Sequence, residues 1–323
     1  MMEAHLLILA LALVLDRVVG DPPWLWARLP HPVVVFGTCI SAFDRLLNRP
    51  ALADPLRKAG GVLTIVLLLM ASLGVGYGLH RLFAALGFIG FLLEIAVTAV
   101  FLAQKSLLDH VKAVADGLLH EGLAGGRRAV SMIVGRDPDV LDEAGVARAA
   151  LESLSENFAD GVVAPAFWYG VLGLPGLLAY KMLNTADSMI GHKSERYVQF
   201  GWASARLDDL ANWPAARLAG LLIVCAAGTG EGIATAKRCF TVMMADHGLH
   251  RSPNSGWPEA AAAGGLDVAL AGPRIYAGDV GNEPMMNAAG QRAIGGADIR
   301  RGLLLIDGAW RIGVGILLLL TLL

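Results

Sequence analysis

One apolar run limits the fold of this chain more than any other feature of its sequence. From Gly61 to Leu79 it reads GVLTIVLLLMASLGVGYGL, without a charged residue. A helix needs about 20 apolar residues to cross the ~30 Å hydrocarbon core of a bilayer, and only a backbone that makes its own hydrogen bonds is tolerated there. The run therefore predicts a transmembrane helix and an all-α membrane fold.

Composition and further apolar runs extend this prediction to the whole chain. Of the 323 residues 55% are hydrophobic and 17% are charged, and the mean hydropathy of +0.57 is typical of integral membrane proteins. The N-terminus lacks the basic stretch of a cleaved signal peptide, so we expect the first run to be retained. We predict one polytopic helical membrane domain over residues 1–323, with a turn at His80–Arg81 and membrane helices at 4–20, 61–79, 82–103 and 303–323.

Two shorter apolar segments, 162–180 and 214–228, are harder to place. Pro165 and Pro175 interrupt the first, and the strongly apolar part of the second is only Leu218–Ala227. If both crossed the membrane, the polar residues between them would lie on the opposite side from the polar residues before them. We therefore predict re-entrant or broken, protein-buried helices, which keep the polar clusters on one face.

Basic residues indicate which side of the membrane that face is on. The loop Arg28–Lys58 and the region Gln104–Ser155 are rich in Arg and Lys, and they share a side if 61–79 and 82–103 form a hairpin. Loops rich in Arg and Lys stay in the cytoplasm. We predict a multi-pass protein of the cell inner membrane whose polar site faces the cytoplasm.

The run from residue 150 to residue 217 interrupts the apolar chain with charged and polar side chains. Glu152, Glu156 and Asp160 are spaced four apart, which predicts an acidic stripe on one helix face, with Asn157 beside it. No Lys or Arg lies between Glu152 and Asp160 to offset the repulsion, which a divalent cation or a cationic group would do. The alternative is a solvated acidic face.

Two more polar clusters follow in the same run. The first comprises Lys181, Asn184, Asp187, Ser188 and Lys193, and the second comprises Arg206, Asp208, Asp209, Asn212 and Arg217. Carboxylate and amide oxygens are ligands that Mg²⁺ prefers, and Lys and Arg bind phosphate or carboxylate. Together with the stripe, the clusters predict a phosphoryl-transfer or ligase site.

Two isolated features add candidates. The segment DHGLHRSPNSGWPEAA at 246–261 crowds His250, Arg251, Ser252, Asn254 and Glu259 into a turn before an Ala-rich helix. Such a loop can bind an anion or be only a capped turn. Glu94 lies within an apolar run, so it is either functional or paired with another helix.

Other features exclude classes of protein. The chain has no basic run of the kind that binds nucleic acid. Its cysteines, Cys39, Cys225 and Cys239, show neither a CxxC motif nor zinc-like spacing, so we interpret them as packing residues.

Five longer motifs are more specific than any single residue. They read DRVVGDPP, ESLSENFADGVVAP, YKMLNTADSMIGHK, FGWASARLDDLANWPAARL and HRSPNSGWPEAA. Over nearly its whole length the chain resembles the CobD/CbiB family of cobalamin biosynthesis, the adenosylcobinamide-phosphate synthases. It departs from the family at His192, where an aromatic residue is expected, and around 278–287.

The resemblance implies an ATP-dependent carboxylate-amine ligase of the inner membrane. Such an enzyme joins a propionate carboxylate of adenosylcobyric acid to aminopropanol or its O-phosphate, with Mg²⁺ and with ATP as co-substrate. Because a carboxylate is a poor electrophile, it must first be activated, as an acyl phosphate or an acyl adenylate. The expected partners are these substrates, membrane lipid, and either further copies of this chain or other membrane proteins of the pathway, with no nucleic acid.

The resemblance and the chemistry of the side chains together give roles to the polar residues. Catalysis is predicted for Glu152, Glu156, Asp160, Lys181, Asp187 and Asp208. Substrate binding is predicted for Asn157, Asn184, Ser188, Lys193, Arg206, Asn212, Arg217, His250, Ser252 and Asn254. The pool of Mg²⁺ ligands is Glu156, Asp160, Asp187, Asp208 and Asp209.

Two alternatives stay open at this point. An aromatic group, Phe167, Trp168, Tyr169 and Trp202, can offer the corrin ring a surface or simply be core. The chain as a whole can also be a membrane transporter or signalling protein that uses broken helices without chemistry.

Overall fold

The computed structural model describes residues 2–135, 137–272, 274–276, 279–281 and 283–322, with side chains except at 2–4 and 274–281. Helices make up most of it, so the prediction of an all-α polytopic membrane protein is confirmed. Within these ranges five helical segments are long and apolar enough to cross a membrane: Asp54–Ala85, Gly87–Val130, Glu143–Ile190, Trp202–Glu231 and Gly296–Leu320.

The helices in chain order are α1 (Met2–Val19), α2 (Pro23–Trp26), α3 (Pro32–Leu47), α4 (Asp54–Ala85), α5 (Gly87–Val100), α6 (Gln104–Val130), α7 (Glu143–Phe158), α8 (Ala164–Ile190), α9 (Trp202–Glu231), α10 (Ile233–Asp246), α11 (Gly256–Leu266) and α12 (Gly296–Leu320). A π-helical turn, Ala159–Val163, joins α7 to α8. Two antiparallel strand pairs lie between α11 and α12: β1 (Leu270–Ala271) with β4 (Met285–Met286), and β2 (Arg274–Tyr276) with β3 (Asp279–Gly281).

The turn predicted at His80–Arg81 is wrong. Helix α4 continues through both residues to Ala85, and the helix is broken at Gly87, whose φ of +58° is left-handed. Gly90 then packs against the preceding helix, where an added Cβ would lie 1.8 Å from the carbonyl oxygen of Phe83. His and Arg are acceptable inside a helix, whereas a left-handed turn and so close a crossing both favour glycine.

The two segments predicted to be re-entrant, 162–180 and 214–228, lie inside longer helical segments of 48 and 30 residues. In the first, Gly173 has a left-handed φ of +66° and interrupts α8 two residues before Pro175. In the second, the polar residues 202–212 are helical too, so the short apolar stretch is part of a much longer helix. Whether either segment crosses the membrane or returns to the same side stays a prediction.

The chain divides into two compact units. The first unit comprises Met1–Ala103, Ala164–Asn212 and Leu320–Leu323. Within it, α3 and α4 pack on α8. Burying a large apolar side chain stabilises a fold by roughly 1.5–3 kcal/mol, so this contact fixes the C-terminal part of α8, which carries the polar residues 181–188. The buried cluster consists of Ile40, Ile65, Leu68, Met182, Leu183, Ala186, Ile190, Phe200 and Ala203.

The second unit comprises Gln104–Val163 and Trp213–Leu319. Here α7 packs on α6 and α11, and α11 packs closely on α10. Gly264 makes the last contact possible, because an added Cβ would lie 2.9 Å from the Cα of Cys239. Small buried residues, Ala260–Ala263, let α11 lie deep in this unit. The first turn of α11 is thereby held beside α7.

Candidate active site

The second unit contains a cavity of about 320 Å³. Its walls come from the segment after α6, from α7, from the loop before α11 and from the first turn of α11. The lining residues are Ile133, Val134, Gly135, Ala149, Glu152, Ser153, Glu156, Asn157, His250 and Glu259. Two motifs that are far apart in the sequence, the acidic stripe and the His250 loop, therefore meet in one place.

Glu152 is the buried member of the stripe, with 5% of its surface exposed. Helix α7 begins at Glu143, after Asp142 caps it by accepting the Gly145 N–H at 2.7 Å. Two turns further on, Glu152 Oε1 accepts the backbone N–H of Ala271 at 2.9 Å. A buried carboxylate needs such a donor, and a backbone N–H supplies it without bringing a positive charge.

Glu156 lies one turn later and is half-buried. Its Oε1 accepts the Ser255 hydroxyl at 2.8 Å. Ser255 comes directly before α11, and Glu259, which is 1% exposed, is in the first turn of that helix. The cavity thus brings three carboxylates together, two from α7 and one from α11.

His250 faces Glu259, with 3.6 Å between Nε2 and Oε1. Its other nitrogen, Nδ1, accepts the backbone N–H of Ser252 at 2.9 Å. In a neutral imidazole the nitrogen that accepts carries no proton, so the proton lies on Nε2. His250 in this form presents an N–H toward Glu259.

Asp160 departs from the predicted stripe, whereas Asn157 lies beside it. Asp160 lies in the π-helical turn and is not one of the residues that line the cavity. A π turn contains more residues than an α turn, so a spacing of four no longer returns to the same face. Asn157 does line the cavity, and its amide donates back to the Ser153 carbonyl at 2.8 Å.

The other predicted residues of the loop build its turn. The Ser252 hydroxyl oxygen accepts the N–H groups of Asn254 and Ser255, at 3.2 and 3.3 Å. Asn254 is buried, with 4% exposed. These contacts fit the capped-turn alternative, and an anion at this loop stays a prediction.

The first unit contains a separate polar cluster, formed by the ends of α8 and α9. The Tyr180 hydroxyl donates to Asn212 Oδ1 at 2.8 Å, and the Asn212 amide donates to Asp208 Oδ2 at 2.9 Å. Asp208 is 8% exposed and interacts electrostatically with Asp187 and with Asp209. The structure thus brings the predicted clusters 181–193 and 206–212 together within this unit.

Cations and amides surround these carboxylates. Arg206 pairs with Asp209 at 3.9 Å, and Lys193 also interacts electrostatically with Asp209. Asn184 neighbours Asp208 and accepts the Ser188 hydroxyl through its backbone carbonyl at 2.9 Å. Lys181 is half-buried on α8.

Within the described ranges, no three His, Cys, Asp or Glu side chains are arranged as a preformed metal site. The donor set of Asp187, Asp208 and Asp209 nevertheless suits Mg²⁺ chemically, because carboxylate oxygens are the ligands that this hard cation takes. Glu156 is the other predicted ligand that has carboxylate neighbours, in the cavity of the second unit. Mg²⁺ binding at these residues stays a prediction.

Arg217 lies in the second unit between two aromatic rings. Its guanidinium carbon is 4.1 Å from the ring centre of Trp213 and 4.5 Å from that of Trp257. Arg217 was predicted to bind substrate because of its charge; its side chain takes part in this stack, and a substrate contact stays a prediction.

Several residues of the site were not predicted. Glu259 lines the cavity, Ser255 donates to Glu156 in its wall, and Tyr180 supports Asn212. The only signal for the first two was their position in the HRSPNSGWPEAA motif. Glu94 pairs across helices, as the alternative for it proposed: it accepts the Tyr169 hydroxyl at 2.8 Å and lies 3.1 Å from His80 Nδ1.

The aromatic group suggested for a corrin ring is divided among different contacts. Tyr169 is fully buried against Glu94. The Trp168 indole donates to the Ala211 carbonyl at 3.1 Å, and Phe167 meets the Trp168 ring edge-on. Trp202 lies under the ammonium group of Lys58, which is 3.8 Å from its ring centre. Tyr169 is therefore a core residue, as the alternative to a corrin-binding surface proposed.

The fold and these two polar sites define an integral membrane protein of α-helices that gathers carboxylates in a cavity and in a second, amide-rich cluster. Comparison with known proteins narrows this class. The family model described as CobD/Cbib protein matches residues 9–306, and the chain belongs to the CobD/CbiB family of cobalamin biosynthesis.

Relatives support this membership along the whole length. A cobalamin biosynthesis protein CobD of Sinorhizobium sp is 65% identical, over 98% of each chain. The protein of that name from Brucella suis is 49% identical over 98% of this chain and 97% of its own, and that from Rhodobacter capsulatus is 46% identical over 92% and 91%. No solved structure is significantly similar.

Proposed function

We propose that this chain is a ligase that forms the amide bond between a propionate carboxylate of adenosylcobyric acid and aminopropanol or its O-phosphate, with ATP. The acidic cavity is the observation that carries the proposal. Of the described residues that line it, three are carboxylates and none is Lys or Arg. Arg136, next in sequence to the lining Gly135, is outside the described residues.

A cavity with these walls suits a primary amine. An alkylamine is a cation at neutral pH, since the pKa of a comparable amine is about 10. Close carboxylates repel one another and are stabilised by a cation between them. The volume of about 320 Å³ is ample for a small amino alcohol. We therefore assign the cavity to the amine substrate.

The side chains of the cavity also supply what the amine needs before it reacts. An ammonium group has no lone pair, so a proton must first pass from its nitrogen to a base. Glu156 is the proposed base, because it is the most accessible of the three carboxylates. Glu152 and Glu259 would hold the ammonium group, and the Nε2–H of His250 would orient Glu259 or the substrate hydroxyl.

The cluster in the first unit suits the activation step. We assign Asp187, Asp208 and Asp209 to Mg²⁺, and Lys181, Lys193 and Arg206 to the phosphates of ATP. Bound Mg²⁺ would neutralise charge on the phosphates during transfer. The propionate oxygen would attack the terminal phosphorus and ADP would leave; the amine nitrogen would then attack the acyl carbon and release phosphate. Asn184, Ser188 and Asn212 would orient the substrates.

The predicted orientation agrees with this chemistry. ATP is a cytoplasmic compound, and a site on the cytoplasmic face of the inner membrane would have direct access to it. The location in the inner membrane and the cytoplasmic orientation remain part of the proposal.

Mass spectrometry tests the ligation directly. The purified protein in detergent is given adenosylcobyric acid, Mg·ATP, and either aminopropanol or its phosphate. We expect a corrinoid heavier by the amine less one water, together with ADP. Glu156→Gln keeps the shape but removes the base and should lose most product, whereas Glu143→Gln, an exposed residue at the start of the same helix, should not.

The outcomes separate the alternatives. No product from folded wild-type protein would refute the ligase and favour a carrier without chemistry. Equal product from wild type and Glu156→Gln would keep the ligase and remove Glu156 from its mechanism.

A further inference from the structure

Four side chains of the second unit form one continuous stack. Its order is Trp213, Arg217, Trp257 and His247. The guanidinium of Arg217 lies between the two indoles, as described above, and the His247 ring lies parallel to that of Trp257, with centres 3.9 Å apart and 15° between the planes. A cation between two aromatic faces is attracted by both.

The local sequence explains why the stack forms. Trp213 and Arg217 are four residues apart on α9 and therefore share a face, and Arg217 Nη1 also donates to the Trp213 carbonyl at 2.7 Å. His247 directly follows α10, and Trp257 is the second residue of α11. Gly256 allows the two to approach, because an added Cβ would lie 2.0 Å from the His247 carbonyl oxygen. The stack thus joins α9 to both ends of the loop 247–257.

This loop forms one wall of the amine cavity, through His250. Trp257 lies two residues after Ser255, which donates to Glu156, and two residues before Glu259. Its backbone N–H is bonded to the Asn254 carbonyl at 3.0 Å. The Trp257 ring thus anchors the short stretch of backbone that joins Ser255 to Glu259.

We propose that Arg217 is a positioning residue for the amine cavity. It holds Trp257, and through Trp257 it holds Ser255 and Glu259 in place, instead of binding a substrate phosphate as the sequence suggested. This inference rests on the proposed function for the identity of the amine. The position between the two indole rings requires a planar cation that can stack on both of them. The guanidinium of Arg is planar and the ammonium of Lys is not.

Fluorine NMR tests the stack without any substrate. The protein is labelled with fluorotryptophan in detergent, and Trp257→Phe and Trp213→Phe identify the two lines. We expect Arg217→Met and Arg217→Lys to move both lines and to leave that of Trp26, in the first unit, unchanged. Arg292→Met, an exposed arginine of the same unit, should move neither. Unmoved lines in Arg217→Met would overturn the proposal.

Kinetics test what the stack does. For Arg217→Met we expect the KM for the amine to rise about tenfold while the KM for ATP changes less than about twofold. Arg217→Lys should not restore the KM for the amine, because it keeps the charge but not the planar group. Arg217→Met combined with Trp257→Leu should be no worse than the more affected single variant, because both remove the same support.

The opposite pattern would identify a phosphate-binding residue. In that case the KM for ATP would rise, or the preference for the phosphorylated amine would be lost, and Arg217→Lys would restore much of the activity. Failure of the proposed function is distinguishable, because wild-type protein would then form no amide while the fluorine spectra would still report on the stack.

Discussion

The hydrogen bond between Tyr169 and Glu94 allows a prediction about stability that is independent of the proposed reaction. Tyr169 is fully buried in α8, Glu94 is 3% exposed in α5, and the hydroxyl lies 2.8 Å from the carboxylate. Tyr169→Phe removes the donor and leaves the ring in place. His80 Nδ1, 3.1 Å from the carboxylate, is still in place beside it in this variant.

The expected cost follows from the kind of bond. Neutral hydrogen bonds between membrane helices contribute about 0.6 kcal/mol on average. A bond to an ionised group is roughly twice as strong, and a carboxylate that loses a donor in a buried place costs up to ~3 kcal/mol. We therefore expect Tyr169→Phe to lower the free energy of unfolding by about 1–3 kcal/mol.

Reversible unfolding in mixed detergent, followed by tryptophan fluorescence, measures this difference. Tyr77→Phe is the matched control, because that side chain is 59% exposed on α4 of the same unit, and it should change stability by less than ~0.5 kcal/mol. Adding Glu94→Gln gives a double-mutant cycle whose coupling energy should be at least ~0.5 kcal/mol. Equal effects of Tyr169→Phe and Tyr77→Phe, with no coupling, would refute the reasoning.

Two further predictions concern packing. Burial raises the pKa of the Cys239 thiol to about 12, and its sulfur donates to the Ala261 carbonyl. A maleimide at pH 8 should therefore spare Cys239 in the folded protein and modify it after unfolding in denaturant, as peptide mass spectrometry would show; rapid labelling of Cys239 in the folded protein would contradict the burial. Gly61→Ala would place a Cβ 1.8 Å from the Phe200 carbonyl oxygen, whereas Gly74 has open space around it. Gly61→Ala should therefore lower the free energy of unfolding by roughly 1–3 kcal/mol, and Gly74→Ala should not. Equal thermal unfolding temperatures for the two variants would show that α4 is not packed against the Phe200 backbone.

Features that depend on local sequence were predictable in this chain. The apolar run 61–79 alone predicted a helix long and apolar enough to cross a membrane. The spacing of Glu152 and Glu156 likewise placed both carboxylates in one cavity. The prediction of a turn at His80–Arg81 was wrong because it was based on the polar side chains of these two residues. The helix breaks instead at Gly87, which has a positive φ.

Features that depend on distant contacts were not predictable in the same way. Glu259 lines the same cavity as Glu156 because small residues let α11 pack deeply, which no local sequence pattern predicts. Arg217 was assigned to phosphate because of its charge, but the positions of Trp257 and His247 decide its contacts. Asp160 has the right spacing for the stripe, yet the π-helical turn takes it out of the cavity lining.

The partners of the carboxylates give a physical reason to separate structural from functional ones. Asp44 pairs with Arg196 at 2.6 Å and Asp307 with Arg311 at 2.5 Å, so each charge is offset by a cation. The hydrogen bond to Glu156 comes instead from an uncharged donor, the Ser255 hydroxyl. An uncharged donor stabilises a carboxylate but leaves its negative charge available to a ligand. For this reason we expect Glu156, and not the arginine-paired carboxylates, to contact a cationic substrate.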